Sequence, residues 1–550
     1  MKIDRMRNSK VWNSKIFAFV VCAVFVVLSA FYYYGLQCEY PPQPEDVMSI
    51  TYMYLHLEQG TDYPVHEILW AVCSFIATKV GGMTYFATRL LFTLMYTILL
   101  SCTVYLGLQS KTEKKLKLYL IPLIALFCVI LFPIAADPEL FQWPSGVELI
   151  YEFPFQYHYT SRIYAVVCLI VLFLFLRCQE KKRKTIYGIL LAVICLYALR
   201  KTDLIYYIMF LAPAAIVAFL RALRTDRLRK YAVFCMSGGM GVLLLSRILP
   251  YSFLKSMWTT EGADLYGDIY GAVNWASIDA LGINFWNYIK LIAVMFNIQL
   301  PNSPVLSLYS CVYILKTAIL LVGYIIVIHI VICSFSGNST RYHYDFIDEV
   351  LAWSYILLTG VCLFTFFGGA VIFFRYFSCL TFVMTILLCR NIEVFPEIIR
   401  IKWLKEIKYK KMIFCAYIFV LCICSMGKVW TYRVPNGYEP ELKAIAEYIE
   451  STDYGYAVAP FWLYAQIGAL SNGEVMVYQT EDEIKEIFGD DAKVSYIITN
   501  NFDNSEIKGN FYDHCDTYEE MCEYYSEPTN IINYEKLQLV IYKDGTKTKE

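Results

Sequence analysis

Apolar runs of about 20 residues, the length that crosses a bilayer core of about 30 Å as helix, recur along most of this chain with short polar connections between them. The first, Ile16 to Leu36, follows a basic start of Lys2, Arg5, Arg7, Lys10 and Lys15. It is too long for a signal-peptide core and no small-residue cleavage motif follows it, so it reads as a signal anchor. Further runs fall near 84–108, 118–136, 160–177, 186–199, 204–220, 231–249, 305–333, 350–368, 370–389 and 412–429. The pattern predicts a polytopic α-helical membrane protein with about eleven transmembrane helices over residues 1–429.

Beyond residue 430 the period changes. Helix is expected over Glu439–Ser451, Phe461–Leu470, Thr480–Phe488 and Thr517–Tyr525. Strands are expected over Gly455–Ala459, Glu474–Tyr478, Val494–Thr499 and Leu537–Lys543. Such alternation favours a sheet with helices on its faces, and 430–550 is long enough to hold its own core. The tail is therefore expected to be a soluble α/β domain.

Composition agrees. The 550 residues are 58% hydrophobic and only 17% charged, with a mean hydropathy of +0.47, whereas a soluble domain carries nearer a quarter charged residues. Most of the 19 Cys, among them Cys102, Cys128, Cys168 and Cys362, lie inside apolar runs, where they behave as small hydrophobes. No CxxC pair has metal-site spacing, which argues against zinc. Cys515 and Cys522 stand in a polar stretch, where a disulfide and a reduced pair are both open. Walker, GxSxG and HExxH motifs are absent, as are internal repeats and the paired Gly/Pro-broken helices of inverted-repeat transporters.

Charge sorts the connections into two sets. Lys111/Lys114/Lys115/Lys117, Lys181/Lys182/Arg183/Lys184, Arg221 to Lys230 and Arg390 to Lys411 are basic. The stretch 37–67 holds Glu39, Glu45, Asp46, Glu58, Asp62 and Glu67 without Lys or Arg, and 137–159 holds four acids and again neither. The positive-inside rule then places the N-terminus in the cytoplasm. An odd number of spans puts 430–550 outside, with external loops 37–83, 137–159 and 250–304. Amphipathic stretches in the first and third, Val65–Val80 and Phe285–Leu300, suit the membrane interface. The expected location is the plasma (cell) membrane, with the C-terminal domain extracytoplasmic.

Against this background Arg89, Arg162, Arg200, Lys201, Arg247 and Arg375 map to the outer ends of spans, and Lys316 nearer the middle of one. The run 186–199 gives only about 21 Å of helix at about 1.5 Å per residue, so Arg200 and Lys201 are expected below the external surface. Charges within the membrane are expensive and tend to mark a substrate path. Several cations together suit an anion such as a lipid phosphate, which Arg binds bidentately. The plain alternative is that each snorkels or pairs with a nearby acid, as Lys201 with Asp203.

Two external segments add titratable groups. In Pro41-Pro42-Gln43-Pro44-Glu45-Asp46 a carboxylate suits a general base or a divalent-cation ligand; otherwise it caps a helix beginning near Val47. Asp62-Tyr63-Pro64-Val65-His66-Glu67 sets a His beside two acids, which equally describes an interfacial polar cluster. Phe153-Pro154-Phe155-Gln156-Tyr157-His158-Tyr159-Thr160-Ser161-Arg162 suits contact with a sugar or headgroup, though an aromatic belt explains its tyrosines as well. Glu481-Asp482-Glu483 reads as a solvated helix start, and Asn338-Ser339-Thr340 and Arg341 to Glu349 read as loop.

The whole arrangement resembles the GT-C superfamily of membrane glycosyltransferases, which use polyprenyl-phosphate-linked sugars on the non-cytoplasmic face. The likeness lies in a cytoplasmic N-terminus, a long first external loop with Glu45-Asp46 just after the first span, many spans and an external tail. Within the tail, Asp453-Tyr454-Gly455-Tyr456-Ala457, Leu470-Ser471-Asn472-Gly473 and Leu537-Gln538-Leu539-Val540-Ile541-Tyr542 are similar to tails of bacterial members. The resemblance implies transfer of a sugar from a polyprenyl phosphate donor to a cell-envelope glycan or lipid acceptor. Asp46, with Glu45 beside it, would be base or metal ligand, for Mg or Mn. Arg375, Arg200 and Lys201 would hold the departing phosphate, and His66, Glu67, His158 and Arg162 would contact substrate. No Asp-Asp or Asp-Xaa-Asp stands in the first loop, a departure that leaves metal dependence open. Expected partners are donor, acceptor and bilayer, with no nucleic acid. The rival readings are a lipid-linked glycan flippase or other transporter, and a non-enzymatic envelope-assembly scaffold.

Overall fold

The computed structural model describes residues 15–39, 85–109, 116–130, 158–201, 206–223, 276–296, 308–365, 379–399 and 410–429, with most of 439–500 and 527–542. These residues are mostly helical and include one small sheet. The chain divides into two compact units, Met1–Tyr33 with Leu94–Tyr432 and Tyr34–Thr93 with Arg433–Glu550.

The helices of the apolar part are α1 (Lys15–Glu39), α2 (Tyr85–Leu108), α3 (Leu118–Val129), α4 (His158–Arg177), α5 (Lys181–Lys201) and α6 (Tyr207–Ala222). They continue with α7 (Ile278–Met295), α8 (Leu308–Ser336), α9 (Phe346–Phe364), α10 (Cys379–Asn391) and α11 (Lys410–Val429). Among the described residues three stretches are long and apolar enough to cross a membrane: Ile16–Gly35 in α1, Ser310–Ser336 in α8, and Phe346–Phe364. Their large side chains stay open on the outside of the bundle, with Phe19 and Phe31 each 71% exposed on α1 and Phe335 57% on α8. Water tolerates such continuous apolar surface poorly, and lipid covers it without cost.

Local chemistry explains where the helices differ from the sequence expectation. The helix expected over 186–199 starts at Lys181, because the basic run consists of good helix formers and is continued rather than broken. The span expected over 118–136 is described only to Ile130, after a 3-10 turn, an α turn and a π turn over Ala125–Val129. That expected over 370–389 is described as a regular helix from Cys379, and that over 231–249 lies outside the described residues. Reading Arg341 to Glu349 as loop is wrong for its second half. Asp345 caps α9 with a reciprocal bond to Asp348, each side chain accepting from the other's backbone N–H at 3.0 Å, so the helix begins at Phe346. The amphipathic stretch from Phe285 folds largely into α7, which packs against α9. Asn284 Nδ2 donates to the Leu363 and Thr365 carbonyls at 3.0 and 2.9 Å.

The second unit contains β1 (Tyr456–Val458), β2 (Val477–Tyr478), β3 (Val494–Asn500), β4 (Asn530–Asn533) and β5 (Leu537–Ile541) in the order β2-β1-β3-β5-β4. The first three run parallel, and β5 is antiparallel to both β3 and β4. Helix α12 (Glu439–Glu450) lays Leu442, Ile445, Ala446 and Ile449 on the face that carries Tyr496 and Ile498. Helix α13 (Glu481–Phe488) brings Ile484 to the other face, with Ile497 and Val540. The period-2 alternation along β3 thus feeds two cores. Glu481 is not the solvated start that its sequence suggests: it is 7% exposed and pairs with Lys485 at 3.1 Å. Strand β4, unexpected from the sequence, is a polar-ended edge strand. The helices expected over Phe461–Leu470 and Thr517–Tyr525 lie almost wholly outside the described residues, as does Cys515.

Candidate functional site

Two polar levels are built into the helical unit. At the first, α10 ends on Arg390, whose side chain is fully buried. Its Nε donates to Asp348 Oδ1 at 2.7 Å, its Nη2 to Asp345 Oδ2 at 2.5 Å and its Nη1 to the Leu106 carbonyl at 3.3 Å. Asn391 Nδ2 adds a bond to Asp348 Oδ1 at 3.2 Å. Nearby in sequence, Arg221 Nε meets Glu349 Oε2 at 2.7 Å, and Glu393 takes Lys117 at 2.7 Å and the Tyr119 hydroxyl at 2.6 Å. In the turn before α9, Tyr344 is hydrogen-bonded to His329 Nδ1 at 2.8 Å, and burial holds its phenol above the usual range. Every charge named here has an opposite partner, which is what burial of ions requires. This level ties α2, α6, α9 and α10 together, and its chemistry is that of a structural lock.

The second level lies about 16 Å away along the bundle. Eleven residues separate Cys379 from Arg390 on α10, and eleven separate Arg162 from Phe173 on α4, about 16 Å of helix in each case. The Phe173 ring stands 5.7 Å from the Arg390 guanidinium, so both helices are measured from one origin. Arg162 is 1% exposed and lies within electrostatic range of the Cys379 thiol at the first described residue of α10.

Helix ends also meet at this level. Helix α3 ends on Cys128, Val129 and Ile130, and α7 on Met295 and Phe296, all buried. Phe127 packs edge to face on Phe296 at 5.5 Å, and Thr381 Oγ1 donates to the Met295 carbonyl at 3.4 Å. The Tyr96 hydroxyl donates to the Cys128 carbonyl at 2.8 Å, and Tyr33 of α1 stacks on Tyr96 at 4.2 Å. A buried helix end needs partners of this kind for its free carbonyls. Arg162 brings a full positive charge to this buried level, which favours an anion.

The residues expected to form the site divide into three groups. Arg162, Arg200 and Lys201 are brought to one level by the α4–α5 hairpin, in which Tyr164 meets Tyr197 at 5.5 Å and Cys168 Sγ lies 3.9 Å from Cys195 Sγ. His158 opens α4 one turn before Arg162. Glu45, Asp46, His66, Glu67 and Arg375 lie outside the described residues, although Arg375 precedes Cys379 by only four positions. Lys316 is buried on α8 within electrostatic range of Cys422 on α11, a position separate from the α4–α10 junction. Among the described residues no three His, Cys, Asp or Glu side chains stand together as a metal site.

Sequence reasoning missed the Arg390 lock, since Arg390 counts there only as one basic residue in a loop. The signal that finds it is the capping pattern Asp345-x-x-Asp348 ahead of an apolar run. No protein-family model matches the sequence, and no curated protein matches it.

Proposed function

We propose that the protein is a membrane glycosyltransferase moving a sugar from a polyprenyl phosphate donor to a cell-envelope glycan or lipid acceptor on the non-cytoplasmic face. The observation that carries this reading is the buried Arg162 beside the start of α10, level with Arg200 and Lys201. In the orientation set by the basic loops, the Arg390 lock faces the cytoplasm and Arg162 lies deep on the external side. The acceptor hydroxyl gives its proton to Asp46 and attacks the anomeric carbon, while the bond from that carbon to the phosphate oxygen breaks. Arg162, with Arg200, Lys201 and Arg375, stabilises the charge that develops on the departing phosphate. His66, Glu67 and His158 contact the sugar or acceptor, and Glu45 stands beside the base. If a divalent cation such as Mg or Mn takes part, Asp46 is the residue that would hold it.

The test is transfer of radiolabelled sugar from a panel of polyprenyl phosphate donors by purified protein in lipid, with Asp46→Asn and Arg162→Ala beside the wild type. Loss of transfer in both variants with folding intact supports the reading; full activity in both removes it. A second reading, a lipid-linked glycan flippase or other transporter, is favoured by the helix ends that meet deep in the bundle. It requires that the lipid-linked sugar cross vesicle leaflets without being cleaved, which the same preparations report.

A further inference from the structure

We infer that the start of α5 is a docking surface for an anionic phospholipid headgroup; the inference rests on the bilayer association of the helices and not on sugar transfer. Five cations, Arg177, Lys181, Lys182, Arg183 and Lys184, fall within residues 177–184 against the single acid Glu180. Arg177, Lys181, Lys182 and Arg183 are exposed. Arg183 Nε takes Glu180 at 2.8 Å, which leaves a clear positive excess. Lys181 to Lys184 form the first turn of α5, and no acid stands among them. That is the end of a helix where its own dipole is positive and where carboxylates, not ammonium groups, are stabilising. Four neighbouring cations there also repel one another. An anion lying over this turn stabilises it further by offsetting that repulsion.

A second observation identifies the anion as lipid. Directly after the cations, α5 presents Ile186 (53% exposed), Ile189 (60%) and Val193 (55%) on its outer face. These positions recur at helical spacing below the charged turn. A phosphate placed over Lys181 and Lys182 thus has an apolar strip beneath it of the kind an acyl chain covers. The alkyl stems of the lysines span the boundary between the two. Free phosphate satisfies the charge alone, a zwitterionic lipid the strip alone, and an anionic phospholipid both.

The experiment places the full-length protein in nanodiscs of phosphatidylcholine, alone or mixed in equal parts with phosphatidylglycerol. A photoactivatable phosphatidylglycerol is included and captured positions are read by mass spectrometry. The wild type is expected to capture it at the start of α5. The K181Q/K182Q/R183Q variant should show about a tenfold or greater loss, since each basic residue near an anionic surface contributes roughly fivefold. Thermal unfolding in phosphatidylcholine alone, unchanged in the variant, shows that it folds, and the upward shift that phosphatidylglycerol gives the wild type should be lost. Equal capture of a photoactivatable phosphatidylcholine, or retained capture by the variant, overturns the inference. So does full competition by inorganic phosphate, which would make the surface a site for the free ion.

Discussion

Tyr164 on α4 and Tyr197 on α5 meet edge to face with their ring centroids 5.5 Å apart. Because the two helices run antiparallel, this contact fixes the level of everything above it, and two residues beyond Tyr164 stands Arg162. Three residues beyond Tyr197 stands Arg200, with Lys201 after it. Arg162 and the adjacent pair Arg200 and Lys201, distant in sequence, thereby share one level of the bundle. A cation holding a phosphate with two parallel N–H donors is not replaced by a point charge. On the proposed function, Arg162→Lys should therefore lower sugar transfer by about tenfold and Arg162→Ala by about 10²-fold or more, the range seen when one charge-stabilising donor is removed. A salt or pH change should not restore either. The comparison is made by single-turnover transfer, with donor binding measured separately.

The hairpin register is open to a direct check. Cys168 and Cys195 lie with their sulfurs 3.9 Å apart, and the Tyr206 hydroxyl is 3.4 and 3.2 Å from them. The gap is wider than a disulfide, near 2.05 Å, yet small enough for side-chain rotation to close. Copper phenanthroline, which removes the two thiol hydrogens, should form the Cys168–Cys195 bond in the membrane-embedded protein. Peptide mass spectrometry after alkylation reads the product. Cross-linking of Cys168 to any other cysteine would place α5 in a different register and separate Arg162 from Arg200.

Much of this arrangement is legible in the sequence, and what is not has physical causes. The apolar runs announce helices because a side chain facing lipid and one facing a neighbouring helix are both apolar. For the same reason they say little about which helix touches which. Helix α5 begins earlier than its apolar run because Lys and Arg continue a helix readily, and a hydropathy window sees only the change of polarity at Ile186. Arg162 stands out as a charge in an apolar setting, and the structure places it in a buried junction. Arg390 does not stand out, because it opens a basic stretch, and its partners Asp345 and Asp348 lie more than 40 residues earlier in the chain. In the tail, the alternation along Val494–Asn500 shows a strand, whereas Asn530–Asn533 hides one because an edge strand needs neither face apolar.

The Arg390 lock makes a prediction that differs from that of an ordinary surface ion pair. Its guanidinium and the Asp348 carboxylate are both fully buried, so removing Arg390 leaves Asp348 without its counter-charge, while removing Asp348 leaves Arg390 only the partly exposed Asp345. Arg390→Met alone should cost about 3–5 kcal/mol of stability, whereas Arg390→Met with Asp348→Leu should recover much of it, because an apolar pair of similar volume carries no desolvation cost. Denaturant unfolding in detergent, followed by tryptophan fluorescence, gives both values. If the double variant is as unstable as the single, the bonds from Asn391 to Asp348 and from Arg390 to the Leu106 carbonyl carry the stability instead.

Close approach of α8 and α10 depends on Gly323. A Cβ placed there would come within 2.5 Å of Met384 Sδ and 3.3 Å of Leu388 Cγ. The Met thioether can turn aside for one methyl group, but the branched Leu388 behind it limits further room. Gly323→Ala should therefore be nearly neutral, its helix propensity gain of about 1 kcal/mol offset by the displaced sulfur. Gly323→Leu should overpack the contact and cost about 1–3 kcal/mol. It should also tilt α10 about its Arg390 anchor, and the end that moves farthest is the Cys379 end, beside Arg162. Loss of transfer in Gly323→Leu at temperatures where the protein is still folded, with Gly360→Ala unaffected as a control in open space, would show that the buried junction needs α10 in place. Equal activity in the two would separate the position of α10 from the chemistry.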